Sequence, residues 1–270
     1  MISRRLLTGR GSFRTVQALA LSLFTMPGVP LPGQAQRPTA GTVLAIGAHA
    51  GDMEVAAGAL LATQSKAGAR VVFLHLTLGE GGNPSLSTEQ YGKQKRQEAE
   101  AAAKAIRAEV MFGPYKDGEL PDDQASRQYV ASIIRKVKPA YVITHWKAGI
   151  HRDHVAAHAI ATDAVLLASL PGAVGDEPPH RGVRMVLFTE NWEDKERFSP
   201  YVYVDVSGAL DDWEKCVTQY EFIRGGISKF PYHEYYKALL RVRGAEGGVG
   251  FAECFDIDSW GKKQVYRTLP

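Results

Sequence analysis

Two short stretches hold most of the residues able to do chemistry. "AHAGDME" (48–54) presents His49, Asp52 and Glu54, and "GIHRDHVAAH" (149–158) presents His151, Asp153, His154 and His158. Imidazoles and carboxylates in this mixture suit a divalent metal. Two histidines and one carboxylate are enough for the three protein ligands of a catalytic zinc site, with a fourth position left for water. His151 and His154 stand three apart, a spacing that places two side chains on one side of a helix start, so one can face metal and the other substrate. Asp153, between them, is placed to orient a neighbouring imidazole. Taken singly, each residue has a plainer reading. Asp52 alone would be a helix N-cap, His75 inside a strand a hydrogen-bonded structural residue, and His158, a full turn into its helix, a packing residue. His145, His180 and His233 carry no assignment. The pairing of two clusters favours the metal.

The elements that must position these clusters alternate between strand and helix. "TVLAIGAH" (42–49) and "RVVFLHLTL" (70–78) are continuous apolar runs rich in β-branched residues, as buried parallel strands are. Further strands are expected at 109–113, 140–146, "VRMVLFT" and "YVYVDV". Helices are expected from Asp52 to Lys66, from the capping-box pattern at Ser87 and Gln90 to about Arg107, at about 124–137, and from Asp153 to about Ser169. Ser207 is expected to cap a helix over "GALDDWEKCVTQYEFI". Strands separated by such helices predict a three-layer α/β domain with a mainly parallel sheet. Chemistry in such sheets gathers at the carboxyl ends of the strands, and both clusters fall there.

The 270 residues are 45% hydrophobic and 23% charged, enough for one sizeable core and unlike a disordered chain. The formal net charge of +3 invites a nucleic-acid reading. Arg4, Arg5, Arg10 and Arg14 supply that excess, however, and residues 1–35 contain no acid, so the body is close to neutral and no polyanion-binding surface is expected. The same segment has the order of an export signal: a basic start, the apolar run "VQALALSLFTM", then small residues around "GQAQ". Residues 1–36 are expected to be a cleaved signal, with "SRRLL" resembling a twin-arginine type, and residues 37–270 the exported domain, periplasmic or extracellular. The apolar run is short for a bilayer span, so no stable membrane span is expected after signal removal. Cys216 and Cys254 suit either a disulfide or two buried thiols. There is no G-x-G-x-x-G after the first strand, which argues against a dinucleotide site.

The motifs resemble those of the PIG-L, or LmbE-like, family of zinc-dependent N-acetylglucosaminyl deacetylases. That family has a strand ending in A-H-P-D-D-x-E and, about a hundred residues later, H-x-D-H. Ala48 to Glu54 and His151-Arg152-Asp153-His154 are similar to these. "LTLGEGG", "RQEAEAAAKAI", "YKDGELP", "VDVSGALDDWEKCVTQY" and "RVRGAEGGVGFAECF" resemble further family segments, so the likeness covers roughly residues 40–256. It implies a Rossmann-like, LmbE-like fold and a metal, zinc or another divalent ion, on His49, Asp52 and His154. It also implies that His151 assists the reacting carbonyl and that Glu54 supports the site through hydrogen bonds.

One family residue is absent. The aspartate directly before the ligand aspartate, thought to be the general base, is Gly51 here, and the preceding proline is Ala50. General acid–base assistance contributes about 10²–10⁴-fold, so slow turnover is expected unless another group substitutes. Glu54, Glu80, His151 and Asp153 are the candidates, His151 first. The glycine is also expected to open space for a differently shaped substrate. The expected activity is hydrolysis of an acetyl or similar acyl group from an N-acetylated amino sugar or related amine, by attack of metal-bound water. The alternative is a metal- and carbohydrate-binding pseudoenzyme. The partner is expected to be a small molecule or glycan, with Trp146, Trp192 and "FPYHEYY" (230–236) as possible stacking faces.

Overall fold

A seven-stranded sheet explains why the strand sequences carry so little polar residue. In the computed structural model the strands are β1 (Val43–Gly47), β2 (Val71–His75), β3 (Glu109–Phe112), β4 (Tyr141–His145), β5 (Met185–Thr189), β6 (Val202–Asp205) and β7 (Ala252–Asp256). Their spatial order is β3-β2-β1-β4-β5-β7-β6. The pairs from β3 to β5 are parallel, and β7 runs antiparallel to both β5 and β6. The structure describes residues 41–263 except 176, 195, 197 and 260, and these described residues belong to one compact unit. The expected signal at 1–36 lies outside the described residues.

Helices cover both faces. The helices are α1 (Asp52–Lys66), α2 (Thr88–Ala105), α3 (Gln124–Val137), α4 (Arg152–Ser169), α5 (Leu210–Val217) and α6 (Tyr232–Gly247). Val43 and Ala45 of β1 join the core under α1, α2, α5 and α6, while Leu44 and Ile46 join the core under α3 and α4. Alternate residues of one strand thus serve two apolar layers, the reason its sequence is apolar throughout. The three-layer, mainly parallel architecture expected from the sequence is the one observed.

Two local expectations are corrected. Ser207 does not cap a helix. Its hydroxyl donates to Asp205 Oδ1 at 2.6 Å and accepts from the Phe251 amide at 2.9 Å, so it closes the β6–β7 end instead. A short 3₁₀ turn (Ser207–Ala209) precedes α5, and α5 stops at Val217 instead of continuing through Ile223. The chain after it turns back toward β1 and carries Phe222 there. Helix α6, to which the sequence analysis gave no helix, packs Tyr236 and Leu240 into the core. Cys216 and Cys254 are both buried free thiols.

Candidate metal centre

The chain leaves β1 and must reverse at once into α1, and Gly51 makes that turn. Its φ of 105° lies in the left-handed region, which a glycine adopts without a Cβ penalty. The turn brings Asp52 Oδ2 back onto the His49 amide at 2.7 Å. On the neighbouring strand β4, His145 accepts the Ala48 amide proton on Nε2 at 2.9 Å, tying the two strand ends together. His151 then caps α4, its Nδ1 accepting from the Asp153 amide at 3.2 Å, which sets His154 in the first turn.

His49, Asp52 and His154 meet at one point. His49 Nδ1 lies 3.2 Å from Asp52 Oδ2 and 3.2 Å from His154 Nε2, and the latter is 3.3 Å from Asp52 Oδ2. Bonds of about 2.0–2.2 Å to a tetrahedral zinc put its ligand atoms about 3.3 Å apart, so this triangle fits one face of such an ion. The outer nitrogens support the same reading. His49 Nε2 faces Asp117 Oδ1 at 3.1 Å and Asp153 Oδ2 at 3.5 Å, and His154 Nδ1 contacts Glu193 Oε1. Carboxylates this close to the outer nitrogens favour a proton there, which would leave the inner nitrogen's lone pair free, as in metal-ligating histidines backed by carboxylates. His145 Nε2 is also within 3.3 Å of Asp52 Oδ2, but the Ala48 amide occupies its lone pair.

The electrostatics favour positive charge at this point. Burial opposes charge on His49, yet Asp52, Asp117 and Asp153 together hold its imidazole well above the ordinary value. Burial likewise opposes charge on His154, and Asp52 and Glu193 push it up to about 9. Asp52, against its own burial, is held well below the usual carboxylate range by His154 and His49. His145 is pushed down to about 4 by burial and by the charge of His154. Burial, then His49 and His154, lower His151. With Nδ1 engaged by the Asp153 amide, a neutral His151 carries its proton on Nε2. It is a hydrogen-bond donor there and not a proton acceptor.

A cavity of about 450 Å³ opens above the triangle, bordered by Gly51, Lys95, His151, Trp192, Phe222 and Tyr232 among others. Glu54 does not border it. That carboxylate is fully buried, accepting from Tyr220 at 2.7 Å and facing His75 Nε2 at 3.2 Å, so it supports the floor and is not placed to take a proton from substrate. Asp153 is also fully buried, accepting the Gly118 amide at 2.7 Å. Glu80 accepts the Asp117 amide at 3.1 Å and borders a different groove. Trp146 is buried against Phe188 and Phe198, away from the cavity. His158 bonds the His145 carbonyl at 2.9 Å, and packs on Phe188.

The space expected beside Gly51 is closed. A Cβ there would stand 2.9 Å from two ring carbons of Phe222 and 3.6 Å from Lys95 Nζ. The ring and the ammonium fill the region that a larger residue would use. Sequence reasoning also missed Asp117, Glu193 and Asn191. Asn191 lies beside Glu193 and accepts from Tyr236 at 2.5 Å.

Residues 44–165, which include all but the first residue of β1, the whole of β4 and both clusters, match the family described as "PIG-L: GlcNAc-PI de-N-acetylase". The chain is 24% identical over 226 residues to a 4-oxalmesaconate hydratase of Pseudomonas putida, covering 80% of this chain and 85% of that one. It is 29% identical over 167 residues to a 1D-myo-inositol 2-acetamido-2-deoxy-alpha-D-glucopyranoside deacetylase of Thermobispora bispora, covering 50% of this chain and 55% of that enzyme. Its fold is similar to that of an N,N'-diacetylchitobiose deacetylase from Pyrococcus horikoshii, with a TM-score of 0.71 at 21% identity over 82% of this chain and 84% of that one. Relatives and structural neighbours include both deacetylases and hydratases. Residues 44–165 thus carry a domain similar to the PIG-L, or LmbE-like, family.

Proposed function

We propose that the protein is a metal-dependent deacetylase that removes an acetyl or similar acyl group from an N-acetylated amino sugar or related amine. The triangle of His49 Nδ1, Asp52 Oδ2 and His154 Nε2 carries the reading. These residues would hold the ion, with zinc the first choice for two imidazoles and a carboxylate. A bound divalent ion supplies Lewis acidity, polarising a carbonyl and acidifying water. Asp117 and Glu193 keep the ligand imidazoles in the tautomers that ligation needs. His151 offers Nε2–H to oxygen charge that develops as the amide carbonyl is attacked. Among the described residues no free carboxylate takes the place of the family base, since Asp117 and Glu193 each contact a ligand histidine. Turnover is therefore expected to be about 10²–10⁴-fold below that of a relative with the base.

A second reading rests on the broad alignment with the hydratase. In it the cavity adds water to a carbon–carbon double bond of an unsaturated acid. The two are separated by incubating the zinc-loaded full chain with N-acetylated sugars and with unsaturated dicarboxylic acids, beside a His154→Ala control. Amine release that is lost in the control supports deacetylation. Loss of the double-bond absorbance without amine release moves the assignment to hydration. Neither signal, with zinc bound, supports the binding-protein alternative.

A further inference from the structure

One charged group bordering the cavity has no role in the reading above. Lys95, on α2, is 4% exposed, yet borders the cavity beside Gly51. Its Nζ donates to the Ala50 carbonyl at 2.5 Å. The rings of Phe222 and Tyr220 surround it, with centroids at 4.4 Å and 4.8 Å. Among the described residues no carboxylate forms an ion pair with it; burial lowers its pKa, against Asp52, Glu98, Glu54 and Asp117, which favour the ammonium from beyond ion-pair distance. An ammonium has three N–H donors, of which the Ala50 carbonyl takes one. Rings are weaker partners for a buried cation than a carboxylate is.

Gly51 explains the missing partner. Lys95 Nζ stands 3.6 Å from the place of a residue-51 Cβ. An aspartate at that position would bring an internal counter-ion to the ammonium, and glycine brings none. The segment that closes over the glycine is itself fixed to the same helix. Glu98, one turn after Lys95, accepts the Glu221 amide at 3.1 Å, and Gln94 bonds the Glu221 carboxylate, which places Phe222 over Gly51. The lysine is therefore held in position with donors to spare.

We propose that Lys95 is a specificity-determining residue that binds a carboxylate of the substrate beside the metal centre. Within the deacetylase reading, on which this substrate class rests, the substrate is an N-acylated amino sugar or amine that also carries a carboxylate. Two uncommitted donors on one ammonium match the two oxygens of a carboxylate. A phosphate dianion would keep excess negative charge in a cavity that Asp52, Asp117 and Glu193 already border.

A matched pair of probes tests this: N-acetylglucosamine, and N-acetylmuramic acid, which adds a lactyl carboxylate to the same sugar. N-acetylglucosamine 6-phosphate serves as the phosphate arm. Binding to the zinc-loaded full chain is measured by calorimetry for the wild type, Lys95→Met and Lys95→Arg, with Lys95→Gln used if the Met variant does not fold. The wild type is expected to prefer the carboxylate sugar by about ten- to hundredfold. The Met variant should lose that preference while binding the neutral sugar within about twofold of wild type, and Arg should retain it, as a charge contact requires. The inference is overturned if the wild type shows no preference, if the phosphate sugar is the one preferred, or if Lys95→Met keeps the preference, which would assign the charge reading to the metal. It is also overturned if the variant weakens both sugars equally, the mark of a purely structural lysine. A retained carboxylate preference without amine release would overturn the deacetylase reading alone.

Discussion

Glu193 shows how a residue without a sequence motif comes to matter. Its carboxylate contacts His154 Nδ1, and its removal leaves that nitrogen with Asn191 Nδ2 at 3.5 Å, a donor that favours the other tautomer. Glu193→Gln is expected to weaken zinc binding by about 10–100-fold without unfolding the protein, as read by chelator competition. An unchanged affinity would mean that His154 is held by other contacts. Gly51 makes the opposite case, a residue whose meaning changed once its neighbours were visible. Restoring a side chain there meets two obstacles, a positive φ and the Phe222 ring at 2.9 Å. Gly51→Ala should lower stability by about 1–3 kcal/mol in denaturant titration. Phe222→Ala in the same chain should recover the steric part, giving a non-additive double-mutant cycle. Additive effects would show that backbone strain alone makes the cost. For the same reason Gly51→Asp is not a simple restoration of a family base.

At the scale of elements, the interior of β7 is bound to the middle of α1. Glu253 is buried and accepts the amides of Ala59 at 2.9 Å and Leu60 at 2.7 Å. Burial raises its carboxyl to about 7, against the two amides that favour the anion. The folded value is above the unfolded one of about 4.5, so the folded state binds the proton more tightly. The associated stability is fully present below about pH 4.5 and is lost as pH rises through about 7. A shift of that size corresponds to at most about 3 kcal/mol. Glu253→Gln should flatten this part of the stability–pH curve in thermal melts, at the cost of one amide facing an NH₂ group. A wild-type curve that rises between pH 4.5 and 7 and is unchanged by the variant would refute the assignment. Helix starts follow a simpler logic. The capping box at Ser87 and Gln90 was legible in the sequence and is present, because it needs only residues three apart. The expected Ser207 cap failed because Asp205 and Phe251, the second 44 residues away, compete for the same hydroxyl.

At the scale of the molecule, the sheet order places β1 and β4 side by side although α1, β2, α2, β3 and α3 separate them in sequence. The chain reverses its direction of growth across the sheet between these two strands, and such a switch point leaves a crevice at their carboxyl ends. His49 and His154, 105 residues apart, meet in it. The described residues contain no helix long and apolar enough to cross a membrane. Residues 1–36, read as an export signal, give a separate expectation. Fractionation of cells expressing the full chain should find the protein outside the cytoplasm, with a mass matching a start near residue 37. Full-length protein in the cytosol would overturn the signal reading and, with it, the expected periplasmic or extracellular location.

The sequence by itself determined the layered α/β architecture, since continuous apolar strands, helical periodicity and local caps are written in short windows. It also determined which side chains could serve as metal ligands, because "AHAGDME" and "HRDH" are local patterns at strand ends. Only the tertiary structure decided what surrounds them. Glu193 and Asp117 reach His154 and His49, the candidate ligands, from segments with no metal-binding spacing, and Phe222 and Lys95 reach Gly51 from an interrupted helix and from α2. Contacts between distant segments depend on how the layers pack and leave no periodic trace in the chain. The identity of the missing aspartate was therefore readable, and the group standing in its place was not.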